Sequence, residues 1–337
     1  MTSSAPSRTH TSQAHDLHRA GGADDSPGEM TGKMHAPLVS VVIPCYGEER
    51  YLDEAIESVR SQSYPHYEII VVADGSPGSH AVIAGTRPDV RYVEQPHQGV
   101  SVARNLGVSA SRGEYLVFLD ADDRLLRDAL TTGVAALKAH PDAAFVYGRA
   151  EWMAADGSPL PTPKLISVAR DHYLALLRTN FIAIHTAMHR RSAFEAVRGF
   201  RAGLHMAEDY ELYLRLARRY AVHEHGELVA QNRRHGSSAS RKAAAMLAGS
   251  LGVLRAQLRL LPSDERYEEA LRAGVAGMQA HWGGRLADQV RAEAHANQWR
   301  AASRGALALL RYHPWGFASN AFQALRQRMP GRRQHVV

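Results

Sequence analysis

Three carboxylates crowd into four residues at the end of one apolar run, Glu114-Tyr-Leu-Val-Phe-Leu-Asp120-Ala-Asp122-Asp123. Residues 115–119 have the length and the aromatic and β-branched make-up of a buried strand. Asp120 and Asp122 stand two apart, so from a turn at the strand end both lean towards one point. Oxygen ligands gathered in this way suit Mg²⁺ or Mn²⁺, which bind phosphates through one or two carboxylates plus water. Asp123 reads as the N-cap of a helix beginning Arg124-Leu-Leu-Arg-Asp-Ala-Leu130. A cap needs only one side chain, and three carboxylates repel each other unless a cation sits among them.

The stretches before this run alternate between strand and helix. Leu38-Val-Ser-Val-Val-Ile-Pro44 and Glu68-Ile-Ile-Val-Val-Ala73 read as buried strands, the second closed by the turn Asp74-Gly75-Ser76-Pro77-Gly78. Between them lies an amphipathic helix with Leu52, Ile56 and Val59 on one face. A short helical segment, a strand near Val90-Arg-Tyr-Val93, and a helix opening at Gly99-Val-Ser101, with Ser101 as its cap, complete the pattern. Such alternation predicts a parallel sheet with helices on both faces, and ligands sit at the carboxyl ends of its strands. Pro44 to Tyr46, Asp74 and Asp120 all fall at such ends. Further strands are expected at Ala143-Ala-Phe-Val-Tyr147, Glu151-Trp-Met153 and Ile182 to Met188. Helices are expected near 171–177 and over 207–217, where Glu208 and Asp209 open the helix and would also complement its dipole.

At 337 residues the chain has room for one large α/β domain and an appendage. Net charge is +6 and the pI near 9.5, which favours nucleotides, nucleic acid or an anionic membrane face as partners. Cys45 is the only cysteine, which excludes a disulfide framework and a thiolate metal site and fits a reducing cytoplasm. No apolar run approaches a membrane span of about 18 residues. Residues 1–36 read as a disordered tail, not a signal peptide, with His10, His15 and His18 as solvated residues of it. From Arg241 the chain reads as helices with Ala- and Leu-rich faces, and no Asp or Glu follows Glu293. Ala318, Phe322, Leu325 and Met329, at i, i+4, i+7 and i+11, form a basic amphipathic stripe. It fits an anionic membrane surface, or packing on the protein or a second subunit.

The ordered set of motifs resembles the family 2 glycosyltransferases. They are Val39-Ser-Val-Val-Ile-Pro44-x-Tyr46, Ile69-Ile-Val-Val-x-Asp74-Gly75-Ser76, Gly99-Val-Ser-x-Ala-Arg104-Asn105 and Leu116-x-Phe-Leu-Asp120-x-Asp122-Asp123. Arg191-Ser, Gly199-Phe200 and Glu208-Asp209-Tyr-Glu-Leu-x-Leu-Arg215 continue it over about 200 residues. The resemblance implies a GT-A fold over 37–240, an α/β architecture with a Rossmann-like, mostly parallel sheet flanked by helices, followed by a helical basic extension over 241–337. It implies a nucleotide-sugar donor, UDP by preference, a divalent metal (Mn²⁺ or Mg²⁺) and inversion at the anomeric carbon.

Carried over by position, Pro44, Tyr46 and Glu48 would border the nucleoside, and Asp74 would hydrogen-bond the base. Arg104 would face the base or the diphosphate, and Asp120 would lie near the ribose and the donor sugar. Asp122 would ligate the metal, and His235 would touch the metal or the diphosphate. Asp209 would be the general base, with Glu208 beside it. Acceptor contacts are expected from 152–165 and 180–188. Two positions depart from the family pattern: Ala73 stands where a second carboxylate is usual, and Gly47 where Asn is usual.

The chemistry points the same way. An acceptor hydroxyl must lose its proton as it attacks, so a carboxylate opposite the leaving group serves as base, and a metal can neutralise the departing diphosphate. A cytoplasmic enzyme of surface-glycan synthesis, peripheral at the inner face of the membrane, with a glycan or lipid-linked acceptor and room for self-association, is the expectation. A catalytically silent nucleotide-binding or scaffold protein of the same fold, supported by Ala73 and Gly47, is the alternative. A nucleotidyltransferase would need a Gly-rich basic loop after the first strand, where this chain has Pro-Cys-Tyr-Gly-Glu-Glu. Nucleic-acid binding has no recognition motif behind it.

Overall fold

A run such as Val39-Ser-Val-Val-Ile buries both faces only inside a sheet covered on both sides, and the chain supplies that cover. A computed structural model of the chain describes residues 36–47, 49–75, 87–162, 166–236 and 242–314. The N-terminal tail, Glu48, the helical segment expected after Gly78, residues 163–165 of the acceptor stretch and the stripe from Ala318 to Met329 lie outside them.

Strands β1 (Val39–Cys45), β2 (Tyr67–Asp74), β3 (Val90–Gln95) and β4 (Tyr115–Phe118) pair in parallel, in the order β3-β2-β1-β4. Helices α1 (Glu49–Arg60) and α2 (Val100–Ser109) connect them. After β4 the sheet becomes mixed. Beyond β4 lie β8 (Ala187–Arg190), antiparallel to it, then β6 (Ala143–Ala154), β9 (Ala221–Arg234) and the two-residue β5 (Arg124–Leu125). β6 is antiparallel to β8 and parallel to β9, β5 is antiparallel to β9, and β7 (Pro159–Leu160) hangs on β6. Two reversals in succession restore the direction of β4 in β6 and β9. The carboxyl ends of β1, β4 and β9 therefore share one edge of the sheet.

Alternate residues of each strand enter opposite cores. Val41, Ile43, Ile69 and Val71 pack with α1 and with α3 (Ala129–Ala139). Val42, Ile70, Val72 and Phe118 pack with α2, with α4 (His172–Arg178) and with α6 (Glu208–Ala217). The short helix α5 (Arg191–Ala196) adds Ala193 and Phe194 to this side. The helices α7 (Ala243–Gln257), α8 (Glu265–Met278), α9 (Gly284–His295) and α10 (Trp299–Tyr312) add Leu247, Leu271, Leu286 and Leu309 to that second core, so it runs unbroken into the C-terminal helices. A π-helical turn over 279–283 joins α8 to α9.

Three local expectations are corrected. Asp123 caps no helix: Arg124–Leu125 is strand β5, because Leu125 pairs with Ala230 and the next amide donates to Val229, and α3 starts five residues later, after Asp128. Ser101 lies inside α2, whose N-cap position is Gly99, and its hydroxyl donates to the carbonyl of Leu204. The strand expected over 182–188 is a 3₁₀ turn (Ile184–Thr186) followed by β8.

α2 lies close on β1 and β2 because Gly107 has no side chain. A Cβ there would land inside the Val42 methyl groups and 3.0 Å from Val72 Cγ2. Gly107→Val is therefore expected to lower stability by about 1–3 kcal/mol, read as a lower urea midpoint at unchanged slope. An unchanged midpoint would show that α2 has room to move.

Candidate active site

Arg104 sits on α2 with 2% of its surface exposed. One terminal nitrogen donates to Asp120 Oδ1 at 2.7 Å and the other to Glu208 Oε1 at 2.7 Å. Its guanidinium lies over the Phe200 ring, 5.3 Å from the centroid. A buried guanidinium must be paired, and its planar fork reaches two carboxylates at once. The side chain thereby ties the end of β4 to the first turn of α6. Asn105 next to it makes a reciprocal pair with the backbone of Phe200, donating to its carbonyl at 2.8 Å and accepting from its amide at 2.9 Å. Arg215, paired with Glu211, donates to the carbonyls of Val197 and Gly199. The motif residues Arg104, Asn105, Gly199, Phe200, Glu211 and Arg215 thus form one clamp that fixes the entry to α6.

That entry is strained. Ala207, at the N-cap position of α6, has φ 62°. A left-handed alanine costs on the order of 1 kcal/mol, held here by the clamp. The next residues, Glu208 and Asp209, start the helix. Asp209 Oδ1 accepts from the Tyr210 amide at 2.7 Å, and Asn180 Nδ2 lies 3.4 Å from Oδ2. Burial, then the charge of Glu208, push the Asp209 carboxyl up to about 7, against the smaller pull of the Tyr210 amide and Arg104. A half-buried carboxyl poised there suits a general base.

At the opposite side, the turn after β4 spreads its acids. Asp120 goes to Arg104. Asp122 Oδ2 lies 2.8 Å from His235 Nε2, at the carboxyl end of β9. Asp123 is 2% exposed and accepts from the Arg233 amide at 2.7 Å and from Asn232 Nδ2 at 3.0 and 3.2 Å, with His185 Nδ1 2.8 Å away. It fastens the turn to β9. Arg233 fastens it again: its side chain donates to the Asp122 carbonyl at 2.9 Å, the Ala155 carbonyl at 2.9 Å and Glu54 at 2.6 Å, and lies 4.2 Å from the Tyr51 centroid.

Burial and the charges of Asp123 and Asp120 push Asp122 up to about 6, and the His235 hydrogen bond offsets only part of this. A carboxylate so placed beside an imidazole nitrogen, among acids that disfavour its charge, fits a divalent ion of the Mn²⁺ or Mg²⁺ kind. Ligand atoms of Asp120, Asp123 and His185 also lie within 4.8 Å of one another. The oxygens of Asp123, however, are already taken by β9.

These groups line one open cavity of about 610 Å³. Pro44, Tyr46, Arg104, Asp120, Asp122, Glu208, Asp209 and His235 all border it, as the sequence reading expects. Glu48 lies outside the described residues. Asp74 does not line the cavity: it is 3% exposed and accepts from Gln95 Nε2 at 2.7 Å, the Gln98 amide at 2.7 Å and the Gly99 amide at 2.8 Å. Burial opposes its charge, yet these donors and His97 together hold its carboxyl below the usual range. Asp74 shapes the turn into α2, and the His97 ring from that turn stacks on Tyr46, centroids 4.2 Å apart.

Gly47, where the family usually has Asn, takes φ 71°. Asn and Gly are the residues that adopt this conformation readily, so the departure keeps the backbone requirement. Asn232, Arg233, Arg234 and Lys242 also line the cavity with no sequence signal beyond nearness to His235, and His205 lines it with none at all.

Against known proteins, the model of "Glycosyl transferase family 2" matches residues 40–198. An uncharacterized glycosyltransferase of Haemophilus influenzae is 31% identical over 54% of this chain and 72% of its own length. The chain spans only about a fifth to a half of several other curated relatives. In fold it is similar to residues 1–349 of S. aureus TarS, solved in complex with UDP-GlcNAc, with TM-score 0.61 at 16% identity, covering 86% of this chain and 91% of that one. It is also similar to the mannosyltransferase PcManGT of Pyrobaculum calidifontis, solved with GDP-Man and Mn²⁺, with TM-score 0.56 at 20% identity, covering 88% and 89%. Both likenesses are of fold, the GT-A arrangement with a helical C-terminal region.

Replacing Arg104 with Met leaves two carboxylates without their shared counter-charge. Arg104→Met is expected to destabilise by about 3 kcal/mol, measured by urea denaturation near pH 7. A loss below about 1 kcal/mol would mean that Asp120 and Glu208 do not depend on it.

Proposed function

The chain belongs to glycosyl transferase family 2, and on that premise we propose that it moves a sugar from a nucleotide-diphosphate sugar to a hydroxyl of a glycan or lipid-linked acceptor. UDP is the favoured nucleotide. The reaction is a single displacement with inversion at the anomeric carbon. The observation that carries it is the two-armed Arg104 tie, which holds the Asp120–Asp122 turn and the Asp209 helix start around one cavity.

In this reading the acceptor oxygen attacks the anomeric carbon while the bond to the diphosphate oxygen breaks. The hydroxyl proton passes to Asp209, whose raised pKa leaves it basic enough to take it and still largely ionised above pH 7. Glu208, held by Arg104, lies beside Asp209, and its carboxylate raises the basicity of Asp209. A divalent ion held by Asp122 and His235 would supply positive charge to the departing diphosphate.

Pro44 and the exposed ring of Tyr46 border the nucleoside, with Asp74 acting through the turn that carries His97. Glu48, outside the described residues, is assigned to the nucleoside from the family motif alone. The GDP-Man and UDP-GlcNAc complexes of proteins with this fold, and the Mn²⁺ in one of them, support a donor and a metal of these classes. Among the described residues no helix is long and apolar enough to cross a membrane. The basic charge of the C-terminal helices supports contact with a lipid-linked acceptor at the cytoplasmic face.

Calorimetric titration of UDP, GDP and dTDP with and without Mn²⁺ tests the donor site. One nucleotide is expected to bind in a metal-dependent way, and more weakly as the pH falls through about 6, where Asp122 protonates. Asp122→Ala should abolish the metal dependence. No binding of any of the three by folded protein would favour the silent-scaffold alternative.

Asp209→Asn is expected to keep nucleotide affinity and lose turnover by about 100-fold or more. In the native enzyme kcat should fall roughly tenfold per pH unit below about 7, because the base must be unprotonated. Turnover near normal in Asp209→Asn would remove it as the base.

A further inference from the structure

Among the described residues, eight large hydrophobic side chains are exposed, and three of them lie on α10. Trp299, Leu307 and Leu310 are 62%, 66% and 53% exposed. With Ser303 they stand at i, i+4, i+8 and i+11, on one face of the helix. Ala302 and Leu309, on another face, are buried and hold α10 to the protein. Arg300, Arg304 and Arg311 each follow a member of the exposed stripe by one residue. They form a parallel basic row about 100° further round. Trp299, Arg300, Ser303 and Arg304 surround an open depression. An indole, a hydroxyl and two guanidiniums around one hollow suit a phosphodiester.

We propose that this face of α10 is a docking surface for an anionic lipid bilayer. Apolar side chains edged by arginines are what an interfacial helix presents: the ring and the leucines enter the headgroup boundary while the guanidiniums meet lipid phosphates. Charge decides among the occupants. A second copy joined by a two-fold axis with the α10 helices antiparallel would bring the two arginine rows side by side. Residues 315–337 carry four arginines and no acid, so they repel this row too. On the neighbouring α9, Asp288 pairs with Arg291, and Glu293 accepts from Gln289. Phosphate is the counter-charge that fits.

The surface bears on the transferase reading only as the route to a lipid-linked acceptor, and its test is separate. The full chain is floated with vesicles of phosphatidylglycerol in phosphatidylcholine and with phosphatidylcholine alone, at low and high salt. The expected result is binding to the anionic vesicles only, weakened by salt. The triple variants W299S/L307S/L310S and R300Q/R304Q/R311Q should each bind at least tenfold less, while Mn²⁺-dependent nucleotide binding, measured on the same preparations, stays as in the wild type.

If nucleotide binding is absent from every preparation while the vesicle result holds, the donor reading falls and the docking surface stands. Failure of the wild type to bind anionic vesicles overturns the proposal. So does full binding by both triple variants, which would move the contact to 315–337. Dissociation of a dimer by the variants, without vesicle binding by the wild type, would assign the face to a second copy and likewise overturn it.

Discussion

Everything at the cavity depends on a buried positive charge that cannot be left alone. Arg104 is almost wholly enclosed, so the fold must bring it acids, and it brings them from elements far apart in the chain: Asp120 from the end of β4 and Glu208 from the start of α6. Each acid precedes a candidate chemical group, Asp120 standing two residues before Asp122 and Glu208 one before Asp209. Placing the guanidinium therefore places Asp122 and Asp209 as well. The clamp around Phe200 and the left-handed Ala207 complete the positioning of α6.

The second constraint is on the other wall. Asp123 and Arg233 cross-link the carboxylate turn to β9, and β9 delivers His235 beside Asp122. Because β4 and β9 point the same way despite the intervening reversals, both strand ends open on one edge. The mixed part of the sheet is thus what brings residue 235 to residue 122.

Much of this was legible in the chain. Strand ends marked by Pro44, Asp74 and Asp120, and the helix start marked by Glu208-Asp209, could be read from apolar runs that stop at polar residues, and their motif order led to the family. What escaped reading has a common cause. Asp123 beside a Leu-rich segment looks the same whether it caps a helix or accepts from Arg233, 110 residues away. Ser101 likewise reads as a cap until Leu204 offers its carbonyl. Asp74 stands where a base contact is expected, yet Gln95, Gln98 and Gly99 fill its oxygens. In each case a long-range or loop partner outcompetes the local rule.

The helices after residue 242 share a core with the sheet, and the packing of α8 on α4 has a further implication. Tyr267 of α8 donates to Asp171 at the head of α4 at 2.8 Å, and Tyr173 of α4 donates to Gln257 of α7 at 3.1 Å. Two residues beyond α4 stands Asn180, the neighbour of Asp209. In evolutionary terms the C-terminal region is not a freely exchangeable module. A recombination event that swapped it between relatives would have to inherit α4 in the same crossover, or else retune the polarity around the candidate base by substitutions at a distance.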